Sequence, residues 1–269
     1  MNKKIRCLLL IVVSIIMLFT LTGCENKENT NNTNTNSSKS TNTTKNTNSN
    51  ATSNTNTENG GTKMSDIDFK AAAEKQLSNP NNGDTIAIMH VKDYGDIKFK
   101  FFPDVAPKAV ENFLTHAKDG YYNGLTFHRV INDFMIQGGD PKGDGTGGES
   151  IWGSGFGTEL DYTLVPYRGS LCMAMSSLPN SIGSQFFITQ AKYSSQMYSY
   201  YKSSFPVSLL NQYKENGGYL SLYMQYTVFG QVYEGMDVVD KIASVSTDSN
   251  DKPTTDVVID SIEVMTYGE

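Results

Sequence analysis

An arginine among apolar residues is the first chemical feature of this sequence. Arg129 lies in a stretch that also contains Phe127 and Phe134, and burying a guanidinium there is costly unless it has a partner or a task. Because residues two apart on a strand share a face, Arg129 lies on the Phe127 side, and Gln137 joins that face from the next strand. This pattern predicts a permanent cation beside an amide on an apolar surface.

Arg129 also has a purely structural interpretation. Beyond the first 23 residues, Arg129 and Arg168 are the two arginines of the chain. The aliphatic stem of Arg129 can pack on the sheet while its head pairs with Asp133 or Asp140. From the residues alone, both interpretations stay open. The adjacent His128 alternates to the other face and is interpreted as structural.

Charge and cysteine content argue against several other kinds of site. The formal net charge is −6, and residues 1–63 hold seven basic and three acidic side chains, which leaves −10 on residues 64–269. An acidic domain argues against nucleic acid as a partner. Cys172 is the one cysteine beyond residue 24, so we expect neither a disulfide framework nor a zinc cluster in this part. The glycines of 143–148 lack the Gly-Lys-Ser/Thr ending of a phosphate-binding loop.

The first 23 residues are typical of a secretory signal. Basic residues precede a mainly apolar run from Cys7 to Leu21, which is short for a membrane span of roughly 20 residues. The sequence Leu21-Thr22-Gly23-Cys24 resembles the bacterial lipobox, and this resemblance implies cleavage after Gly23 and lipidation of Cys24. An ordinary cleaved signal and an uncleaved anchor are the alternatives.

Residues 24–63 are predicted to be a disordered tether that follows the lipidated Cys24. From Glu25 to Lys63, 29 of 39 residues are Asn, Thr or Ser, and none is aromatic. Such a segment cannot bury enough apolar surface to offset the entropy of ordering it.

The remainder of the chain predicts a mainly β domain. Residues 64–80 fit a short helix with Ser65 as its cap, and two further helices fit a segment starting at Pro107 and Met236–Ala243. Seven or eight short strands with two internal helices predict a closed antiparallel barrel with plugged ends. The predicted strands are 85–91, 97–102, 125–130, 134–137, 170–175, 185–189, 227–232 and one within 257–264.

Five short motifs closely resemble those of the cyclophilin-type peptidyl-prolyl isomerases. They occur in that family's order between about residues 83 and 264. The resemblance implies a closed eight-stranded barrel capped by two helices over residues 81–269, and catalysis of X–Pro bond rotation without metal or cofactor. The motifs are Phe127-His128-Arg129-Val130, Gln137-Gly138-Gly139-Asp140, Gly145-Thr146-Gly147-Gly148, Gly183-Ser184-Gln185-Phe186-Phe187-Ile188 and Thr227-Val228-Phe229-Gly230.

The resemblance also implies a role for each residue of a site. Arg129 would donate to the prolyl nitrogen, and Gln137 would help to hold both the substrate carbonyl and Arg129. The proline pocket would be formed by the apolar residues Phe134, Met135, Phe187 and Leu222, and the adjoining groove would be lined by Ala174 and Gln185. The backbone of Met175 would anchor the peptide. Tyr226 would lie beside the groove, at the position where some relatives have histidine.

The sequence departs from the family pattern at two places. Residues from about 192 to 220 form a Tyr-rich insertion, interpreted either as a surface flap with a small satellite core or as additional peptide-binding surface. A tryptophan common at the pocket rim is absent, the aligned position being near Ser221. Cyclosporin is therefore a possible ligand whose binding is expected to be weakened.

Together, these features predict a membrane-tethered, extracytoplasmic isomerase that acts on proline-containing segments of exported polypeptides. The alternatives are a proline-peptide binding module with little catalysis and a structural surface lipoprotein on the same barrel. The presence of Arg129 with Gln137 favours the enzyme, because binding alone requires only the pocket.

Overall fold

The computed structural model describes residues 63–269, so the predicted signal, the lipidation at Cys24 and nearly all of the tether lie outside the described residues. The described part opens with a 3-10 turn at Met64–Asp66 and helix α1 (Phe69–Leu77). The prediction of Ser65 as the cap of this helix is wrong. The Asp68 carboxylate accepts the N–H groups of the next turn instead, because a cap must directly precede the first helical residue.

Eight strands form one antiparallel sheet in the order β3-β4-β6-β5-β7-β2-β1-β8. The sheet curls strongly into a half-barrel, and the prediction of a closed barrel is not confirmed. No ladder joins β3 to β8 within residues 63–269; one isolated bridge, Thr126 to Val258, links the two sides. The strands are β1 (Thr85–Val91), β2 (Gly95–Phe101), β3 (Arg129–Ile131), β4 (Met135–Gly138), β5 (Ser170–Met173), β6 (Phe186–Thr189), β7 (Val228–Glu234) and β8 (Ile259–Thr266).

The two predicted internal helices are present, and both pack on the apolar face of the sheet that forms the main core. Helix α2 (Pro107–Lys118) and helix α5 (Met236–Ala243) each turn an apolar stripe toward the main core. Phe113 of α2 lies at the centre of this core, with ring centroids 5.3 Å from Phe186 and 5.5 Å from Phe229. Alternating strand residues such as Ile136, Phe186 and Ile188 complete it.

Further helices correct the expectation of a barrel capped by two. Besides α1, the described residues contain α3 (Ser195–Tyr201) and α4 (Val207–Asn216) inside the Tyr-rich insertion, followed by a 3-10 turn at Leu220–Leu222. Within residues 63–269, no helix is long and apolar enough to cross a membrane.

Helices α1 and α4 enclose a second core outside the sheet. Its fully buried members include Phe69 from α1, Leu210 and Tyr213 from α4, and Leu220 from the 3-10 turn. Buried Gln76 of α1 ties this core to the sheet. Its amide accepts from the Val165 N–H and donates toward the Val165 carbonyl, Ser170 and Gln231. The insertion is thus folded around a satellite core, and α1 is part of it.

Candidate active site

Strand register places Arg129 directly opposite Gln137 on the β3–β4 ladder. Gln137 is in turn opposite Phe187 on β6, and Phe187 is opposite Cys172 on β5. Directly opposed residues of antiparallel strands project from the same face. The cation, the amide and an aromatic ring therefore form one row across the convex face, away from the main core.

Arg129 forms an ion pair, but not with either of the carboxylates that the structural interpretation of the sequence suggested. Its Nε lies 3.5 Å from Oδ2 of Asp251, and neither Asp133 nor Asp140 pairs with it in the described part of the chain. The Asp140 carboxylate instead accepts three backbone N–H groups of the following loop, those of Lys142, Asp144 and Gly145. That contact folds the glycine-rich loop and leaves Arg129 for another partner.

A chain of amide hydrogen bonds fixes Gln137. Its Nε2 donates to Oε1 of Gln185 at 2.9 Å. The Nε2 of Gln185 donates to the carbonyls of Gly145 and Gly147 at 3.1 and 2.8 Å. With its Nε2 occupied, Gln137 keeps its side-chain oxygen as an acceptor beside Arg129. The glycine-rich loop thus contributes carbonyl groups that orient the amides of the groove.

The residues predicted to line the proline pocket form one apolar cluster. Met135, Phe187 and Leu222 are almost fully buried in it, and the ring of Phe187 meets that of Tyr226 edge to face at 5.5 Å. Phe134, Ala174 and Tyr226 pack against it with part of each side chain exposed. The structure therefore brings these six predicted residues together next to Arg129 and Gln137.

Cys172 and Met175 lie in or near this apolar cluster but do not contribute side chains to the predicted proline pocket. Burial raises the pKa of the Cys172 thiol to about 12, so this residue is a packing group rather than a nucleophile. Met175 packs against the main core rather than with the pocket cluster. Its predicted role concerned its backbone, which leaves strand β5 two residues earlier.

Sequence reasoning missed two residues at this site. Asp251 comes from the loop before β8, where it adopts a left-handed backbone with φ 63°. Tyr219 lies near the end of the insertion and packs against Phe134 with ring centroids 4.4 Å apart and the ring planes tilted by 46°. Both contacts join distant parts of the chain. The one signal for Tyr219 was the high tyrosine content of the insertion.

Burial controls the protonation of the groups around Arg129. It raises the pKa of Tyr226, although the positive charge of Arg129 acts in the opposite direction, so the phenol stays protonated. It also lowers the pKa of His128, whose two ring nitrogens have no hydrogen-bond partner. The imidazole is therefore neutral at pH 7, as expected for a structural residue.

The family model for cyclophilin type peptidyl-prolyl cis-trans isomerases matches residues 86–264. This range covers nearly the whole sheet and every residue of the site described above. The chain belongs to the cyclophilin family.

Two bacterial relatives share nearly half of their aligned residues with this chain. A Staphylococcus saprophyticus protein, provisionally described as a peptidyl-prolyl cis-trans isomerase, is 47% identical over 192 residues, which cover 71% of this chain and 97% of the relative. A Staphylococcus aureus (strain USA300) protein with the same description is 48% identical over 184 residues, covering 68% and 92% of the two chains. The present protein is a cyclophilin-type peptidyl-prolyl cis-trans isomerase.

Solved cyclophilin structures have the same fold. A Cryptosporidium parvum cyclophilin-type isomerase superimposes with a TM-score of 0.56 at 32% identity, over 68% of this chain and 98% of its own. A structure of the same isomerase determined in the presence of the dipeptide Ala-Pro gives a TM-score of 0.55 at 33% identity, covering 67% and 99%.

Proposed function

We propose that this cyclophilin accelerates X–Pro rotation through the guanidinium of Arg129, acting on proline-containing segments held in the pocket of Phe134, Met135, Phe187 and Leu222. The observation that supports this proposal most strongly is the position of Arg129. Its partly exposed side chain lies opposite Gln137 on the sheet and beside a buried apolar cluster. The peptide lies in a groove bordered by four further residues, Ala174, Met175, Gln185 and Tyr226.

Rotation about an X–Pro bond neither makes nor breaks a covalent bond, so the enzyme has only to stabilise the twisted amide electrostatically. An X–Pro bond crosses a barrier of about 18–20 kcal/mol because rotation destroys amide resonance. As resonance is lost, the prolyl nitrogen gains a lone pair. An N–H donor placed there stabilises the twisted state more than either planar isomer, which lowers the barrier. A reduction of about 7 kcal/mol corresponds to roughly 10⁵-fold acceleration.

Arginine suits this task better than other donors. It is charged at all physiological pH values, and its planar fork offers several N–H groups at once. The pair with Asp251 uses Nε at 3.5 Å, which leaves the two terminal nitrogens for the peptide. In the bound state, the Gln137 side-chain oxygen would accept from one of them, and the other would donate to the prolyl nitrogen.

The pocket supplies the orientation. Met135, Phe187, Leu222 and Phe134 belong to one apolar cluster, so a prolyl ring buried against them would displace water from apolar surface. Holding the ring while the preceding carbonyl turns confines the rotation to the single C–N bond. The catalytic row and the pocket share one strand face, so the prolyl nitrogen comes to lie beside Arg129.

The Arg129→Lys variant tests whether the planar guanidinium group is needed. The variant keeps the charge but replaces a planar donor with a point charge, and we expect at least a roughly tenfold loss of kcat/KM in an Ala-Pro peptide assay. Unchanged activity would refute the mechanism.

The location belongs to the same proposal. A basic and apolar leader, a Leu21-Thr22-Gly23-Cys24 sequence and a polar tract up to Lys63 support export followed by lipid attachment at Cys24. The isomerase would then work at the outer face of the cell membrane, where exported polypeptides fold. The long tract would let the domain reach clients away from the lipid surface.

Cys24→Ser tests this location. Mass spectrometry of the mature wild-type N-terminus should find a lipid-modified Cys24, and the variant should lack the lipid while retaining its isomerase activity. Activity should survive because the catalytic residues all lie within residues 63–269. A mature wild-type chain that begins at another residue would contradict the anchor.

A further inference from the structure

Tyr219 forms a wall of the pocket that the family motifs do not include. Its ring lies against Phe134 at a centroid distance of 4.4 Å and an interplanar angle of 46°. It packs with the same cluster as Met135, Phe187 and Leu222. Phe134 is therefore covered on one side by an aromatic residue from the insertion.

The backbone around Tyr219 is held from two sides. Its N–H donates to the Pro166 carbonyl at 3.0 Å, and the 3-10 turn that follows divides its residues between two cores. Leu220 and Tyr223 are buried in the second core, whereas Leu222 is buried in the pocket cluster. The second core thus fixes the position of Tyr219 from behind.

The outer part of Tyr219 remains available to a ligand. The side chain is only partly buried, and its hydroxyl has no hydrogen-bond partner within residues 63–269. Burial raises the pKa of this phenol, so the group stays neutral. Tyr219 therefore adds a partly exposed aromatic ring with a neutral hydroxyl to the apolar cluster.

We infer that Tyr219 is a specificity-determining residue that favours X–Pro segments carrying an aromatic side chain next to the proline. The inference rests on the proposed isomerase function of the pocket. An aromatic side chain leaving the proline slot would pack on the exposed part of the Tyr219 ring, where such a pair contributes beyond its buried area. A methyl side chain would gain little from the same surface.

The test compares three peptides on the full-length chain in detergent. Ala-Ala-Pro-Ala is the reference, and Ala-Ala-Pro-Phe and Ala-Phe-Pro-Ala place a ring on either side of the proline. We expect at least one Phe peptide to exceed the reference by about three- to tenfold in kcat/KM. Tyr219→Ala should remove this preference mainly through KM, so that kcat/KM for the Phe peptides falls to that of the reference peptide.

Matched variants separate the ring from the hydroxyl and from the fold. Tyr219→Phe should keep the preference, and so should Tyr193→Ala, which removes an exposed insertion tyrosine whose ring contacts Tyr198 and Tyr213 instead of the pocket. Tyr219→Leu keeps bulk against Phe134 without an aromatic ring, and it carries the test if the alanine variant unfolds. We expect it to lose the preference.

Two outcomes overturn the inference without touching the catalytic proposal. Either the wild type shows no preference, or the preference persists in Tyr219→Ala and Tyr219→Leu. A wild type that fails to accelerate even Ala-Ala-Pro-Ala would instead refute the isomerase proposal itself.

Discussion

Arg129 and Asp251 face each other across the gap between the edge strand β3 and the loop that precedes β8, with Nε 3.5 Å from Oδ2. The Asp251 carbonyl also accepts the N–H of Val130 at 2.8 Å. The same residue therefore holds the backbone beside Arg129 and faces its side chain. In an open half-barrel, this loop takes the place of a neighbouring strand.

Asp251→Asn should separate the positioning of Arg129 from stability. The two side chains are 29% and 42% exposed, so the pair should contribute less than about 1 kcal/mol to the free energy of unfolding. Asparagine tolerates the left-handed backbone at this position. We expect a severalfold lower kcat with an unchanged urea midpoint. A kcat equal to that of the wild type would show that the carboxylate does not orient Arg129.

Gln76→Ala should destabilise the domain although Gln76 lies far from the pocket. Its amide is buried and bonds both the N–H and the carbonyl of Val165. Removing it leaves the buried Val165 N–H without a partner, which costs about 1–3 kcal/mol, whereas the Val165 carbonyl still accepts from the Tyr167 N–H and the Ser170 hydroxyl. Glu74→Ala, on the exposed side of the same helix, should change the free energy of unfolding by less than about 0.5 kcal/mol. Equal urea midpoints for the two variants would contradict this description of the second core.

Helices and strands were predicted most accurately where the sequence itself has a strong apolar periodicity. Helix α5 has an apolar stripe along its whole length, and both its bounds were predicted correctly. Strand β3 is shorter than the predicted 125–130 and starts at Arg129, because Thr126 pairs only through an isolated bridge. Helices α3 and α4 were missed, since their buried faces meet a core that becomes visible only once α1 packs beside them.

The site was predictable where the motifs lie on strands. Arg129 and Gln137 lie on one face of the sheet, as strand alternation predicted. The prediction that Phe127 shares this face is wrong. Its side chain is buried in the main core, because β3 begins only at Arg129 and alternation cannot be counted back to residue 127. Asp251 and Tyr219 could not be found in the same way, because each reaches the site from a loop whose path depends on tertiary packing. Closure of the barrel is not confirmed either, since nothing in the strand pattern indicates whether the two edge strands meet.

Acid should destabilise the protein through its buried imidazoles. Burial lowers the folded-state pKa of His128 and of His116, so the unfolded chain binds more protons at mildly acid pH. The free energy of unfolding should therefore fall as pH decreases from about 6.5 through the lowered folded-state pKa values. Asp140 and Asp144 oppose the effect at His128, while Arg129 and Lys252 reinforce it.

The measurement is a series of urea titrations between about pH 7 and pH 5. His128→Gln removes one titrating group, so its stability should decline less steeply with acid than that of the wild type. Changing His116 to Gln as well should flatten the curve further. An identical acid slope in the wild type and in His128→Gln would refute this origin of the acid sensitivity.

Cyclosporin should inhibit this isomerase more weakly than it inhibits relatives that carry tryptophan at the pocket rim. The position aligned with that tryptophan is predicted to be near Ser221, which offers no indole. Tyr219 supplies a smaller ring against Phe134, so binding should be reduced rather than abolished. Losing one hydrogen bond and part of an aromatic contact is worth roughly 1–3 kcal/mol, or about 5- to 100-fold in Kd.

An inhibition titration of the wild type and of Ser221→Trp measures the difference. We expect the added indole to tighten inhibition. Nanomolar inhibition of the wild type, with no gain in the variant, would show that the rim is assigned to the wrong residue.

The most direct test of the account is the cis–trans exchange of a short Ala-Pro peptide, followed by NMR in the presence of the full-length chain and of its Arg129→Ala variant. The wild type should accelerate exchange at catalytic concentration. The variant should have the same amide spectrum outside the site and an exchange rate at least about tenfold lower. Equal rates for the two proteins would contradict the claim that the guanidinium of Arg129 lowers the rotational barrier.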